Sequence, residues 1–155
     1  MNIADLVTTS VVLPALRVGG KKQLFQELSA RAAEAYGLDA RRVASEVMAR
    51  EQLGSTAMGG GVAIPHARIE GLETIVGVFA RLDKPVEFDA ADGRGVDLVF
   101  LLLAPLEAGA DHLRALARVS RLMRTEACRE KLRSTAKSDA LYALLTEPDA
   151  ASRAA

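Results

Sequence analysis

Tryptophan is absent from this sequence, cysteine occurs once, histidine occurs twice, and 20 basic side chains are cancelled by 20 acidic ones. Each scarcity excludes something. A lone Cys128 forms no internal disulfide and supplies no cysteine zinc cluster, which points to a reducing cytoplasm. A balanced charge argues against non-specific nucleic-acid binding, which relies on a clustered basic surface to displace counterions. The longest uninterrupted apolar run, Leu98 to Ala104, falls far short of the ~20 residues a spanning helix needs. The start, Met1-Asn2-Ile3-Ala4-Asp5, has no basic region leading into a long apolar stretch. Neither membrane insertion nor secretion is expected.

What remains is an ordinary globular mixture of 155 residues, 50% hydrophobic and 26% charged. At this length folding buries about two thirds of the extended chain's surface, so the core needs no disulfide or structural metal. No repeat of 20 to 50 residues and no Pro/Ser linker divides the chain. A single domain over residues 1–148 is expected, followed by a frayed tail over 149–155.

Val11-Val12-Leu13 reads as a short or edge strand stopped by Pro14. After Gly19-Gly20 the period becomes helical: Leu24, Leu28, Ala32 and Ala35 form a stripe with Phe25 beside it, and Gly37 stands where a left-handed terminator belongs. Asp39 is the expected cap of a second helix with Val43 and Val47 inward, ending near Arg50 to Leu53. Gly54 to Gly61 is too rich in glycine and small polar residues for a regular element and reads as a loop. Val62-Ala63-Ile64-Pro65 is extended and delivers His66 at its end, because the residue before proline is pushed out of the α region.

Val76 to Leu82 alternates as a strand with one buried face, and Val86-Glu87-Phe88 is a candidate short strand. Asp92-Gly93-Arg94-Gly95 is turn chemistry, and Val96 to Leu103 reads as a central strand buried on both faces. Asp111 is the expected cap of a helix with Leu113, Leu116, Ala117 and Met123 inward, Val119 and Leu122 adjoining, and His112 in its first turn. Two helical pieces follow, over Glu126 to Ser134 and from Ser138 or Asp139 onward. The sum is an α/β domain, a mixed β-sheet flanked by helices.

Two histidines leave few places for proton or phosphoryl chemistry. His66, behind a glycine-rich loop and a proline-stiffened strand, is placed either as a nucleophile on the rim of a sheet or as a locally bonded strand cap. His112 sits at a helix N-terminus, where the dipole disfavours imidazolium and attracts anions; a structural role is the plainer reading of its position alone. Gly59-Gly60-Gly61 lacks the lysine of a P-loop and the spacing of a dinucleotide fingerprint, and a tight turn explains it equally well. No Gly-x-Ser-x-Gly elbow surrounds Ser55, and no metal-binding motif occurs.

The seventeen residues Arg50-Glu51-Gln52-Leu53-Gly54-Ser55-Thr56-Ala57-Met58-Gly59-Gly60-Gly61-Val62-Ala63-Ile64-Pro65-His66 resemble the active-site stretch of the mannitol/fructose-type enzyme IIA domains of the bacterial phosphoenolpyruvate-dependent phosphotransferase system. The strand Val76 to Leu82, the strand Val96 to Leu103 with its Ala104-Pro105 ending, and Asp111-His112-Leu113-Arg114-Ala115-Leu116 extend the likeness from about Ile3 to Leu145. The resemblance implies the mannitol-type enzyme IIA fold and a phosphoacceptor at His66, fed by an HPr-like histidine phosphocarrier. It implies that His112 contacts the phosphoryl group and that Arg50 binds it, which reverses the plain reading of His112.

Catalysis of that kind is in-line positioning plus electrostatic stabilisation, and requires no metal or cofactor in principle. Arg50 offers a planar fork of donors, and Arg68 a further positive group. Ser55 and Thr56 are candidate hydroxyl donors; Gly59, Gly60 and Gly61 are candidates for close approach by the partner or for a turn. Many relatives carry an asparagine where this chain has Gly60, so any hydrogen bond it makes is absent here.

The chain has no room for a IIB domain and no span for a permease. The nitrogen-regulatory branch of the family is therefore expected, with a transporter or sensor kinase as downstream target. The alternatives are a sugar-transport subunit feeding a IIB domain, or a binding module acting unphosphorylated.

Overall fold

A computed structural model describes residues 1–154, with side chains through Asp149. Two short 3-10 turns, Ile3–Asp5 and Thr9–Val11, lead into strand β1 (Val12–Leu16). Helices α1 (Lys21–Tyr36) and α2 (Ala40–Gln52) follow, then β2 (Ala57–Gly59), β3 (Val62–Ala63), β4 (His66–Ile69), β5 (Val76–Val86) and β6 (Val96–Pro105). Helices α3 (Ala110–Arg124), α4 (Glu126–Arg133) and α5 (Ser138–Ala154) complete the described chain.

The six strands make one mixed sheet in the order β1-β5-β6-β3-β2, with β4 also on β6. β5 and β6 are antiparallel; β1 on β5, and β3 and β4 on β6, are parallel. Along β6, Leu98, Val99, Phe100, Leu101, Leu102, Leu103 and Ala104 are all fully buried. Successive side chains point to opposite faces of a strand, so unbroken burial means that both faces are covered. α1 and α2 pack on each other and on β5 and β4, α3 and α4 reach β6, and α5 lies on β1.

Local signals hold where they are strong. Gly37 takes φ 68° and ends α1, and Asp39 Oδ1 accepts from the backbone N–H groups of Arg41 and Arg42. Several expectations are corrected by tertiary context. β1 runs through Pro14 to Leu16: it is an edge strand, where a missing N–H is tolerated, and its register with β5 slips between Leu13 and Leu16. Gly54 to Gly61 is not all loop. Gly60 and Gly61, at φ 66° and 80°, turn β2 back on β3 as an antiparallel hairpin, the positive angles a tight hairpin turn demands.

β5 continues to Val86 as one strand and is buried on both faces from Val76 to Ala80, because helices cover the face expected to be open. Asp111 does not cap α3; Gly109 at φ 53° precedes the first helical residue Ala110, and Asp111 Oδ1 instead accepts from Arg114 Nη1 at 2.6 Å. The buried stripe of α3 is His112, Ala115, Val119, Leu122 and Met123: the last three are as expected, whereas His112 and Ala115 take the places expected of Leu113 and Leu116, and Leu113 is 68% exposed. Of the tail expected over 149–155, Asp149 is buried in α5 and pairs with Arg118 Nη2 at 2.5 Å; the side chains beyond it lie outside the described residues.

Candidate functional site

β3 and β4 are two pieces of one track along β6, interrupted at Ile64-Pro65. Pro65 still accepts from Leu102 N–H at 2.9 Å, so the track keeps its register and places His66 opposite Leu102. The Ile64 carbonyl faces back to His66 and lies 2.9 Å from Nδ1. The proton therefore resides on Nδ1, donated to that carbonyl, and the lone pair of Nε2 is left free.

The imidazole of His112, carried on the third residue of α3, stands edge-on to that of His66 with ring centroids 5.4 Å apart. His112 is buried, and its Nε2 has no hydrogen-bond partner among the described residues. Burial pushes the His66 imidazole below the ordinary histidine value. The Ile64 carbonyl opposes this, the Arg50 guanidinium adds to it, and the Glu51 carboxylate opposes it more weakly. His112 is pushed down as well, first by burial and then by His66 and Arg68. Both rings are held neutral near pH 7, the state in which a ring nitrogen is a nucleophile.

Arg50 lies in the last turn of α2, where a cation complements the helix dipole. Its Nη1 donates to the Gly54 carbonyl at 3.0 Å, and Nε and Nη2 make no hydrogen bond among the described residues. Arg68 comes two residues after His66 on β4 and so emerges on the same face; its Nη1 donates to the Leu106 carbonyl at 3.2 Å. These groups line a cleft of about 640 Å³ with Leu53, Leu106 and Leu113 on its margin. A concave surface with two neutral imidazoles and two guanidinium groups can receive a compact dianion.

The other candidates lie elsewhere. Ser55 Oγ donates to the Phe88 carbonyl at 2.5 Å, and Thr56 Oγ1 donates to Glu51 Oε2 at 2.6 Å. Neither residue lines the cleft. The Gly60 carbonyl accepts from Arg133 Nη2 at 2.6 Å, and a Cβ on Gly60 or Gly61 would press on Arg129 or on Arg133 and Asp97. Val62 pairs with Leu98 and His66 with Leu102, which puts the turn and the imidazole about 13 Å apart at ~3.3 Å per residue. Gly60 and Gly61 thus serve the hairpin turn and its contact with α4, and Gly59 lies beside Asp92.

Sequence reasoning passed over Glu51, which is 6% exposed, and over Leu53 and Leu106 on the margin, and it took Leu113 for a core residue. The nearest sequence signal for Glu51 is its place beside Arg50.

The residues that build this cleft belong to a known class of protein. The model of the phosphoenolpyruvate-dependent sugar phosphotransferase system, EIIA 2, matches residues 5–147, and the chain belongs to that family. Within it the likeness is to nitrogen regulatory proteins. The chain is 53% identical over 150 residues to the nitrogen regulatory protein of Bradyrhizobium diazoefficiens, covering 97% of this chain and 98% of that one.

The crystal structure of nitrogen regulatory protein IIA-Ntr from Neisseria meningitidis superposes with a TM-score of 0.88 at 37% identity, covering 93% of this chain and 99% of that one. IIA mannitol from Escherichia coli, at 18% identity, shares the fold with a TM-score of 0.74 over 90% of this chain and 98% of that one. No helix among the described residues is long and apolar enough to cross a membrane.

Proposed function

We propose that His66 is the phosphoacceptor of this domain and that it carries a phosphoryl group received from a histidine phosphocarrier. The observation that carries this reading is the Nδ1 contact with the Ile64 carbonyl, which leaves Nε2 as the nucleophilic atom. The lone pair of Nε2 attacks phosphorus; the Nε2–P bond forms while the donor's N–P bond breaks, and the released pair returns to the donor imidazole, which takes up a proton from water. Positive charge arising on the His66 ring is stabilised through Nδ1–H by the Ile64 carbonyl. Exchange between two phosphoramidates keeps the step nearly isoenergetic.

Arg50 supplies free donors for the phosphoryl oxygens, Arg68 adds positive charge, and His112 supplies a ring N–H beside the transferring group. The exposed leucines on the margin, Leu53 at 84% and Leu113 at 68%, form an apolar rim suited to a protein donor. The near full-length identity with nitrogen regulatory proteins supports a regulatory role, in which the added negative charge makes or blocks an interface with a target.

Incubation with phosphoenolpyruvate, enzyme I and its phosphocarrier, followed by mass measurement, tests the acceptor. One added phosphate is expected, labile to acid, stable to base and lost in His66→Ala. A base-labile adduct on serine or threonine would overturn the assignment. Faster transfer from a sugar-branch carrier than from a nitrogen-branch carrier would overturn the regulatory reading.

A further inference from the structure

Glu51 is a buried carboxylate that the transfer chemistry above does not use. It projects from the C-terminal turn of α2 and is 6% exposed. Its Oε1 meets Lys21 Nζ at 3.0 Å, at the first residue of α1. Its two oxygens accept from the Thr56 backbone N–H at 3.1 and 3.3 Å, and Oε2 accepts from the Thr56 hydroxyl at 2.6 Å. A carboxylate taken from water at this cost persists only where its lone pairs are satisfied, and here they are.

Thr56 is the joint that connects this carboxylate to the cleft. Its carbonyl accepts from the Ile64 N–H at 3.1 Å, and Ile64 in turn offers its own carbonyl to His66 Nδ1 at 2.9 Å. On the other side of Glu51, the segment pinned at Thr56 includes Gly54, whose carbonyl holds Arg50 Nη1. One buried side chain thus bears on both the guanidinium and the imidazole, although it touches neither by a hydrogen bond.

We propose that Glu51, with Lys21 and Thr56, is a positioning unit for phosphoryl transfer: it fixes the turn that aims Arg50 and the strand residue that sets the tautomer of His66. The proposal rests on His66 as phosphoacceptor. A loop clamped at two consecutive side chains, Arg50 to Gly54 and Glu51 to Thr56, loses little freedom when the phosphoryl group arrives. In an open cleft, displacement of a catalytic group by about 1 Å is enough to cost on the order of a hundredfold in rate.

The test compares wild type with Glu51→Gln, and with Thr56→Val as a milder variant that removes only the hydroxyl. Single-turnover transfer to His66 from the phosphorylated carrier is expected to slow about ten- to a hundredfold in Glu51→Gln, with the carrier concentration giving half-maximal rate unchanged. Thr56→Val should move the same way by less, and Thr56→Ser should keep the wild-type rate. Arg50→Ala should cost much less in the Glu51→Gln background than in wild type, the non-additivity expected of residues acting through one another.

Nitrogen-15 NMR of the His66 ring should show a smaller Nδ1–H fraction in Glu51→Gln. A folded Glu51→Gln with wild-type rate and tautomer would overturn the proposal, as would an Arg50→Ala loss of equal size in both backgrounds. The ring spectrum needs no phosphoryl donor. If wild type accepts no phosphate, the phosphoacceptor reading fails, and the spectrum still decides whether Glu51 positions the ring.

Discussion

His66 and His112 meet edge to face across the cleft with ring centroids 5.4 Å apart, one delivered by β4 and the other by the first turn of α3. Burial lowers the tendency of both rings to take a proton, and the His66 imidazole lowers that of His112 further.

The pH dependence of stability follows from that pairing. Both folded-state pKa values lie below the ordinary 6.5, so between them and 6.5 the unfolded chain binds more protons than the folded one. Stability therefore rises with pH through that window; it is fully present above 6.5 and is lost as pH falls toward the folded values. Urea denaturation at pH 7.5 and at pH 5 should show the lower midpoint at pH 5, and His112→Gln should shrink the difference. The transfer rate to His66 should likewise fall on acidification, with its midpoint below 6.5.

Arg50→Ala should slow phosphoryl transfer by about a hundredfold, the scale of one lost preorganised donor. Arg50→Lys should fall between the two, because an ammonium keeps the charge without the planar fork. Rapid-quench single-turnover measurement reads both. Equal rates for Ala and Lys would show that charge has no part in the effect.

Gly61→Ala should destabilise the fold by about 1–3 kcal/mol, since a Cβ at φ 80° would press on Arg133 and Asp97. The folded fraction should still accept phosphate at the wild-type rate, because the turn lies far along the sheet from His66. Thermal melting and single-turnover transfer on the same sample separate the two effects.

Leu53→Asp and Leu113→Asp should raise the carrier concentration needed for half-maximal transfer by about tenfold each, with melting temperature and the His66 ring spectrum unchanged. An unchanged concentration dependence would place the carrier's footprint elsewhere.

Much of the fold was legible because its determinants are local. The stripe of α1 with its Gly37 terminator, the Asp39 cap, and the unbroken apolar run of β6 each follow from a few adjacent residues. The candidate site was legible through one contiguous stretch, from Arg50 to His66, and through a histidine at a helix start. Periodicity failed in the first half of α3, where the stripe lies one position away: His112 is buried in the site, and Leu113 faces outward on its margin. An apolar residue on the margin of a cleft carries the same letter as one in the core.

The sequence alone determined most of the element types, the hairpin strand at Ala57–Gly59 excepted, together with the mixed α/β class and the family, because backbone preferences and a contiguous motif are written in neighbouring residues. Only the tertiary structure decided which groups share the cleft. Ser55 and Thr56 are drawn away by Phe88 and Glu51, Gly60 and Gly61 are occupied by α4, and Arg68 is brought beside His66 by the period of a strand. A side chain has few hydrogen bonds to give, and where it gives them depends on partners distant in the chain, which no local pattern records.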